Sequence, residues 1–121
     1  MYKLYILLLE LMNMKNKTSI SLNEPSFYIL LALSKESMSG YELTRNILNI
    51  TKGRLEVRTG TMYPTLKKLV DLNLIEQVDE SSQERNKKTY QLTEEGKKAL
   101  QDEVDMLKEK LEEVKLIMNE T

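Results

Sequence analysis

A chain of 121 residues has room for one domain with a modest hydrophobic core. It contains no cysteine and no histidine, which excludes disulfides, thiolate zinc sites, Cys–His nucleophiles and Ser–His triads. An enzyme would have to work with Asp, Glu, Lys, Tyr or Ser alone, and the sequence shows neither a paired nucleophile and base nor a Gly-rich phosphate loop. We therefore expect no enzyme, no catalytic residue, no metal site and no cofactor.

The net charge of -1 hides an uneven distribution of charge along the chain. Residues 1–101 carry 15 bases against 12 acids, whereas residues 102–121 carry seven acids against three bases. Five bases and one acid, Glu56, lie between Lys52 and Lys68. The basic character is therefore local and lies in the middle of the chain.

The N-terminal residues form a separate segment. The apolar run Leu4–Met12 is too short to span a bilayer, and no small-residue cleavage site of a signal peptide follows it. Residues 13–21 are largely polar and unpatterned, so we expect residues 1–21 to be a dispensable extension. The alternative is a helix laid across a dimer, because one helical face would carry Leu4, Leu7, Leu8 and Leu11.

Two helices are predicted next. Asn23 and Pro25 mark the start of the first, whose run Phe27–Leu33 is apolar nearly all round and predicts a central, buried helix. Ser39 and Glu42 have the spacing of a capping box that starts the second helix. The apolar face of the second helix carries Leu43, Ile47 and Ile50.

A third helix follows the short extended piece Leu55–Arg58 and opens at Thr59–Thr61. Pro64 is expected in its first turn, where the missing N–H has little effect. Asn73 lies where a C-cap is expected. The apolar stripe of this helix consists of Met62, Leu66, Leu69 and Val70.

A protruding hairpin is predicted after the third helix. Leu74–Asp79 and Lys87–Leu92 read as strands, and the polar stretch Glu80–Asn86 between them reads as a loop. Three helices followed by such a hairpin, or wing, are typical of a winged helix-turn-helix, which we assign to residues 22–93.

The last helix, within residues 94–121, starts at a threonine cap, Thr93. Its apolar residues are spaced 4, 3, 4, 3 and 4, which is an unbroken heptad stripe. The preceding domain can cover only the first part of this stripe, so we expect a homodimer in which a second copy covers the rest. The predicted dimer interface consists of Leu100, Val104, Leu107, Leu111, Val114 and Met118.

Several separate motifs resemble the PadR-like transcriptional regulators, in order and spacing over about residues 22–100. They are Leu22–Pro25, Phe27–Leu33, Ser39–Leu43, Gly60–Leu69, Leu74–Ile75 and Lys88–Gly96. The resemblance implies a mainly α (α+β) fold, a winged helix-turn-helix with a long C-terminal dimerisation helix, as in the smaller second subfamily. It also implies a cytoplasmic repressor that binds a double-stranded DNA operator, with no membrane association.

The family resemblance also allows a small-molecule inducer, whose identity the sequence leaves open. Some small members bind planar drugs between aromatic side chains of the two C-terminal helices. Here no aromatic residue follows Tyr90, and Leu107 lies where such a ring would stand. An inducer that binds by aromatic stacking is therefore not expected.

The polar residues of the third helix are the main candidates for DNA contact. Hydroxyls suit phosphates and base edges, and lysines neutralise phosphates. The helix candidates are Thr61, Tyr63, Thr65, Lys67 and Lys68. The wing candidates are Arg85, Lys87 and Lys88, and Tyr41 at the start of the second helix is a further phosphate contact.

Other interpretations remain open for these residues. The helix face could be merely solvated, the wing lysines could protect a strand edge, and Tyr41 could pack against the hairpin. The alternative function is a winged-helix protein-interaction module without DNA binding, since the fold alone does not decide function. A MarR-like regulator is a neighbouring class, but such chains usually have a longer fold with helices on both sides of the wing.

Overall fold

The structure, a computed structural model, describes residues 3–5, 7–8, 21–78 and 88–119. Along the chain its elements are α1 (Glu24–Leu33), β1 (Met38–Ser39), α2 (Gly40–Ile50), α3 (Thr59–Asp71), β2 (Ile75–Val78), β3 (Thr89–Leu92) and α4 (Glu94–Met118). The predicted order of three helices, a hairpin and a long last helix is confirmed. Residues 3–5 and 7–8 are helical and exposed, and the predicted loop of the wing lies outside the described residues.

Side-chain caps start three of the helices α1–α4. Asn23 Oδ1 accepts from the Ser26 N–H at 3.0 Å, and Thr93 Oγ1 accepts from the Gly96 N–H at 3.0 Å. The predicted capping box is present, with both bonds between Ser39 and Glu42 at 3.2 Å. The exception is α3, whose N-cap residue is an arginine that makes no side-chain capping bond.

The chain passes from the end of α3 directly into strand β2 of the sheet. Asn73 has a φ of 60°, in the left-handed region that asparagine tolerates better than most residues. Its N–H donates to the Val70 carbonyl at 2.9 Å, and the Leu74 N–H donates to the Leu69 carbonyl at 3.0 Å. This pair of bonds is a Schellman motif, so the predicted helix end at Asn73 is confirmed.

Pro64 lies in the second turn of α3, so its predicted place in the first turn is wrong. The helix begins at Thr59, because the Met62 N–H already closes a turn on the Arg58 carbonyl at 2.7 Å. Pro64 has no N–H to donate to the Gly60 carbonyl, four residues earlier. Burial of the apolar side of α3 holds the helix together across this missing bond.

The sheet has three strands, one more than the sequence predicted. Its order is β1-β3-β2, and both pairings are antiparallel. β1 consists of Met38 and Ser39 alone, opposite Tyr90 and Thr89. Two residues are too few to show the alternation by which a strand is recognised in a sequence.

The core lies between α1, α2, α3 and the sheet. It contains most of the residues that periodicity assigned to apolar faces, including Ile29, Leu43, Ile47 and Leu66. Ile50 and Val70 are exceptions: both lie near the C-terminal ends of their helices and are exposed. The predicted apolar faces are therefore confirmed except at these helix ends.

Only the first turns of α4 pack on this core. Ala99 and Leu100 are buried, and Val104 is half-buried against the cluster. Farther along, the side chains of Leu107, Leu111 and Val114 are 46%, 52% and 48% exposed. The second half of α4 therefore carries an apolar stripe that the described residues of the chain leave uncovered.

Gly96 allows α4 to pass close to the end of α3. A Cβ built there would lie 1.9 Å from the Leu74 carbonyl oxygen. Gly96→Ala should lower the free energy of unfolding by about 1–3 kcal/mol, as overpacking does. Denaturant unfolding followed by circular dichroism measures this.

Gly60→Ala is the matched control, because no heavy atom lies within 4 Å of a Cβ built at Gly60. Alanine in a helix should leave stability unchanged or raise it by up to about 1 kcal/mol. Equal unfolding curves for the two variants would contradict the close approach at Gly96.

Candidate nucleic-acid interface

The N-terminal ends of α2 and α3 meet around an open cleft of about 530 Å³. The extended segment before α3 forms its third side. The side chains around it include two tyrosines, an acid and a base. The lining residues include Gly40, Tyr41, Thr44, Glu56, Arg58 and Tyr63.

Tyr63 fills the space between α3 and the start of α2. A Cβ built on Gly40 would lie 3.2 Å from the Tyr63 hydroxyl oxygen and 3.3 Å from its ring, so the glycine permits this contact. Burial, and to a lesser extent nearby Tyr63, raises the pKa of Tyr90. Tyr63 is still 50% exposed, so one part of the ring packs and another remains open.

Tyr41 lies open to solvent at the start of α2, with 69% of its surface exposed. This exposure does not fit packing against the hairpin. The guanidinium carbon of Arg45 lies 5.8 Å from the centroid of its ring. Sequence reasoning missed Arg45, although its spacing of four residues from Tyr41 places both on one helical face.

The candidates on α3 differ in how free their polar atoms are. Thr61 and Lys68 are exposed, and Lys68 pairs with no carboxylate of the described chain. Thr65 Oγ1 donates to the Thr61 carbonyl at 2.6 Å, and Lys67 Nζ lies 3.1 Å from an Asp71 carboxylate oxygen. Lys68 is therefore the freer of the two lysines.

Of the wing candidates, Lys88 is exposed and directly precedes β3. Because β3 is the central strand of the sheet, protection of a strand edge does not explain Lys88. Arg85 and Lys87 lie outside the described residues.

The two arginines before α3 have different surroundings. Arg54 pairs with Glu24, and its Nη2 donates to the Tyr28 hydroxyl at 2.8 Å, which ties the segment to α1. The hydrogen bond to Glu24 is the main cause of its raised pKa. Arg58 is far more exposed and lines the cleft, a position that sequence reasoning missed because Leu55–Arg58 was interpreted only as a connection.

The described residues contain no group of three or more acidic side chains placed to hold a metal ion. In the same part of the chain, no helix combines the length and apolarity needed to cross a membrane.

Several known transcriptional regulators are similar to this chain in sequence or in fold. Transcriptional regulator YqjI of Escherichia coli is 37% identical over 86 residues, and the match spans 69% of this chain but only 40% of that protein. The structure of Bacillus subtilis PadR in complex with operator DNA is 29% identical with a TM-score of 0.61, covering 70% of this chain and 48% of that one. A PadR family transcription regulator from Clostridium difficile is 28% identical with a TM-score of 0.60, covering 80% and 96%.

The family model of the Transcriptional regulator PadR-like family matches residues 29–102. This range contains α2, α3, the three strands and the cleft between them. Because the match extends over more than half of the sequence, the chain belongs to the PadR-like family of DNA-binding, winged-helix transcriptional regulators.

Proposed function

We propose that the protein is a cytoplasmic repressor that binds an inverted-repeat operator in double-stranded DNA as a homodimer. The observation that carries the proposal is the division of α3 into two sides. Its apolar side is buried, while Lys68 and Tyr63, which lines the cleft, remain exposed. The operator-bound structure of Bacillus subtilis PadR supports this use of the fold.

In the proposed complex, α3 enters the major groove near its N-terminus. Thr61 and Tyr63 lie there and would meet base edges, whereas Lys68, between one and two turns farther along, would meet phosphates. Tyr41 and Arg45 would bind the backbone beside the groove. The wing would contact the adjacent backbone or minor groove through Arg85, Lys87 and Lys88.

The uncovered stripe of α4 supports the proposed homodimer. Its members Leu107, Leu111 and Val114 are about half exposed, and the heptad spacing suits a partner helix of the same kind. We propose that residues 1–21 are dispensable for this pairing. A two-fold dimer would present its two α3 helices to half-sites about 34–36 Å apart, or a multiple of that distance.

Lys68→Ala should flatten the salt dependence of binding. Each lost phosphate contact removes about 0.9 from the log–log slope, once per half-site. Lys67→Ala should change the slope less, because Asp71 already neutralises Lys67 in part. Fluorescence anisotropy at several salt concentrations, with the DNA upstream of the protein's own gene and with a random duplex, measures both slopes.

Lys108→Ala, which removes a lysine from α4, is the control and should keep the wild-type slope. A wild-type slope for Lys68→Ala would show that α3 is not the helix that meets the phosphates. Failure of the wild type to bind either duplex at low salt would favour the protein-interaction module instead.

Tyr63→Ala should weaken binding of the specific duplex more than binding of the random one. A lost base contact corresponds to about 1–3 kcal/mol of discrimination. Tyr63→Phe keeps the ring that packs beside Gly40 and removes only the hydroxyl, so it should retain the melting temperature. Equal losses on both duplexes for Tyr63→Ala would assign Tyr63 to packing or phosphate contact alone.

Leu107→Glu combined with Leu111→Glu should give a monomer that binds DNA poorly, because the carboxylates would be buried in the dimer. Leu116→Glu is the matched control: Leu116 is also exposed, but at 100° per residue it lies on the opposite side of α4 from Leu107. Sedimentation velocity measures the assembly of each variant. A wild-type monomer at micromolar concentration would contradict the proposal.

A further inference from the structure

The segment between α2 and α3 places an acid and a base side by side at the cleft. In extended chain, side chains two residues apart point to the same side. Val57 is 1% exposed and points into the core, so Glu56 and Arg58 both point outward. Arg58 Nε donates to Glu56 Oε1 at 2.5 Å.

The backbone that carries this pair is fixed at several points. The Thr44 hydroxyl on α2 donates to the Val57 carbonyl at 2.8 Å, and the Leu55 N–H donates to Thr51 Oγ1 at 3.0 Å. The Arg58 carbonyl accepts hydrogen bonds from the Thr61 and Met62 N–H groups in the first turn of α3. The proximity of the two charges therefore follows from the anchored backbone as well as from their attraction.

The pair lies beside the proposed DNA-binding face. Among the described residues that line the cleft, Glu56 is the only acid and Arg58 the only base. The Arg58 side chain is 83% exposed and open to an incoming anion, whereas that of Glu56 is 45% exposed. The guanidinium of arginine binds phosphate with the same planar fork that binds carboxylate.

We propose that Glu56 sets the affinity of the protein for the DNA backbone, by holding Arg58 in the free protein and competing with a DNA phosphate for it. This inference rests on the proposed DNA-binding function. On DNA binding, Arg58 would exchange the Glu56 carboxylate for a DNA phosphate. Glu56 would then lie close to the negatively charged DNA backbone. Glu56 would thus lower the affinity for every duplex and so reduce occupancy of random DNA, whose binding depends on phosphate contacts.

Glu56→Gln tests the proposal with a random-sequence duplex as the probe. Releasing Arg58 should tighten binding about threefold to tenfold for a dimer, which lies within the range expected for two exposed ion pairs. The salt dependence should steepen by up to about 0.9 per protomer, because the Glu56 carboxylate no longer offsets the positive charge that Arg58 brings to a phosphate. Circular dichroism should show the wild-type fold for each variant.

Arg58→Gln separates competition for Arg58 from simple repulsion of DNA. In that background, Glu56→Gln should change affinity by less than about twofold, since the two residues act as one unit. Glu112→Gln removes the same charge from another exposed pair, 3.5 Å from Lys115 Nζ on α4, and should also change affinity by less than about twofold.

Two results would overturn the inference while leaving DNA binding intact. One is unchanged affinity for Glu56→Gln. The other is equal tightening with and without Arg58, which would mean that Glu56 acts only by long-range repulsion. A wild type that binds no duplex at low salt would instead contradict the proposed function, and this inference with it.

Discussion

Burial of one side of α3 determines which of its residues can meet DNA. Met62, Leu66 and Leu69 are spaced by four and three residues and are almost completely buried. At 3.6 residues per turn, Tyr63, Lys67 and Lys68 must then face outward. Rotating the helix would expose leucine side chains at about 1.5–3 kcal/mol each and bury a lysine, so the core fixes the proposed DNA-binding face.

The same core fixes only the beginning of α4. Leu100 and Val104 anchor that helix to the winged-helix domain, and the described residues leave the apolar stripe from Leu107 onward uncovered. A partner helix on that stripe would set the distance between the two α3 helices. The spacing of the operator half-sites would therefore depend on residues that make no contact with DNA.

Local signals in the sequence were sufficient for the caps at Asn23, Ser39 and Thr93 and for the helix end at Asn73, because neighbouring residues determine each of them. They were insufficient where distant parts of the chain meet. β1 exists only because β3 pairs with it, and α3 continues through Pro64 because its apolar side is buried.

The candidate site likewise has features that neighbouring residues determine and features that depend on contacts in the folded chain. Periodicity identified Thr61, Tyr63 and Lys68 as outward-facing. The contact of Tyr63 with Gly40 was not predictable, because it depends on how two successive helices pack against each other and not on neighbouring residues. The outward pairing of Arg58 with Glu56 depends on Val57 being anchored in the core, which only the folded chain shows.

Hydroxyl-radical footprinting on a duplex selected by the protein from a random pool tests the central claim most directly. A homodimer with one α3 per half-site predicts two protected patches related by two-fold symmetry. Their centres should lie about 34–36 Å apart, or a multiple of that distance, with two chains bound per duplex. A single asymmetric patch with one chain per duplex would contradict the account.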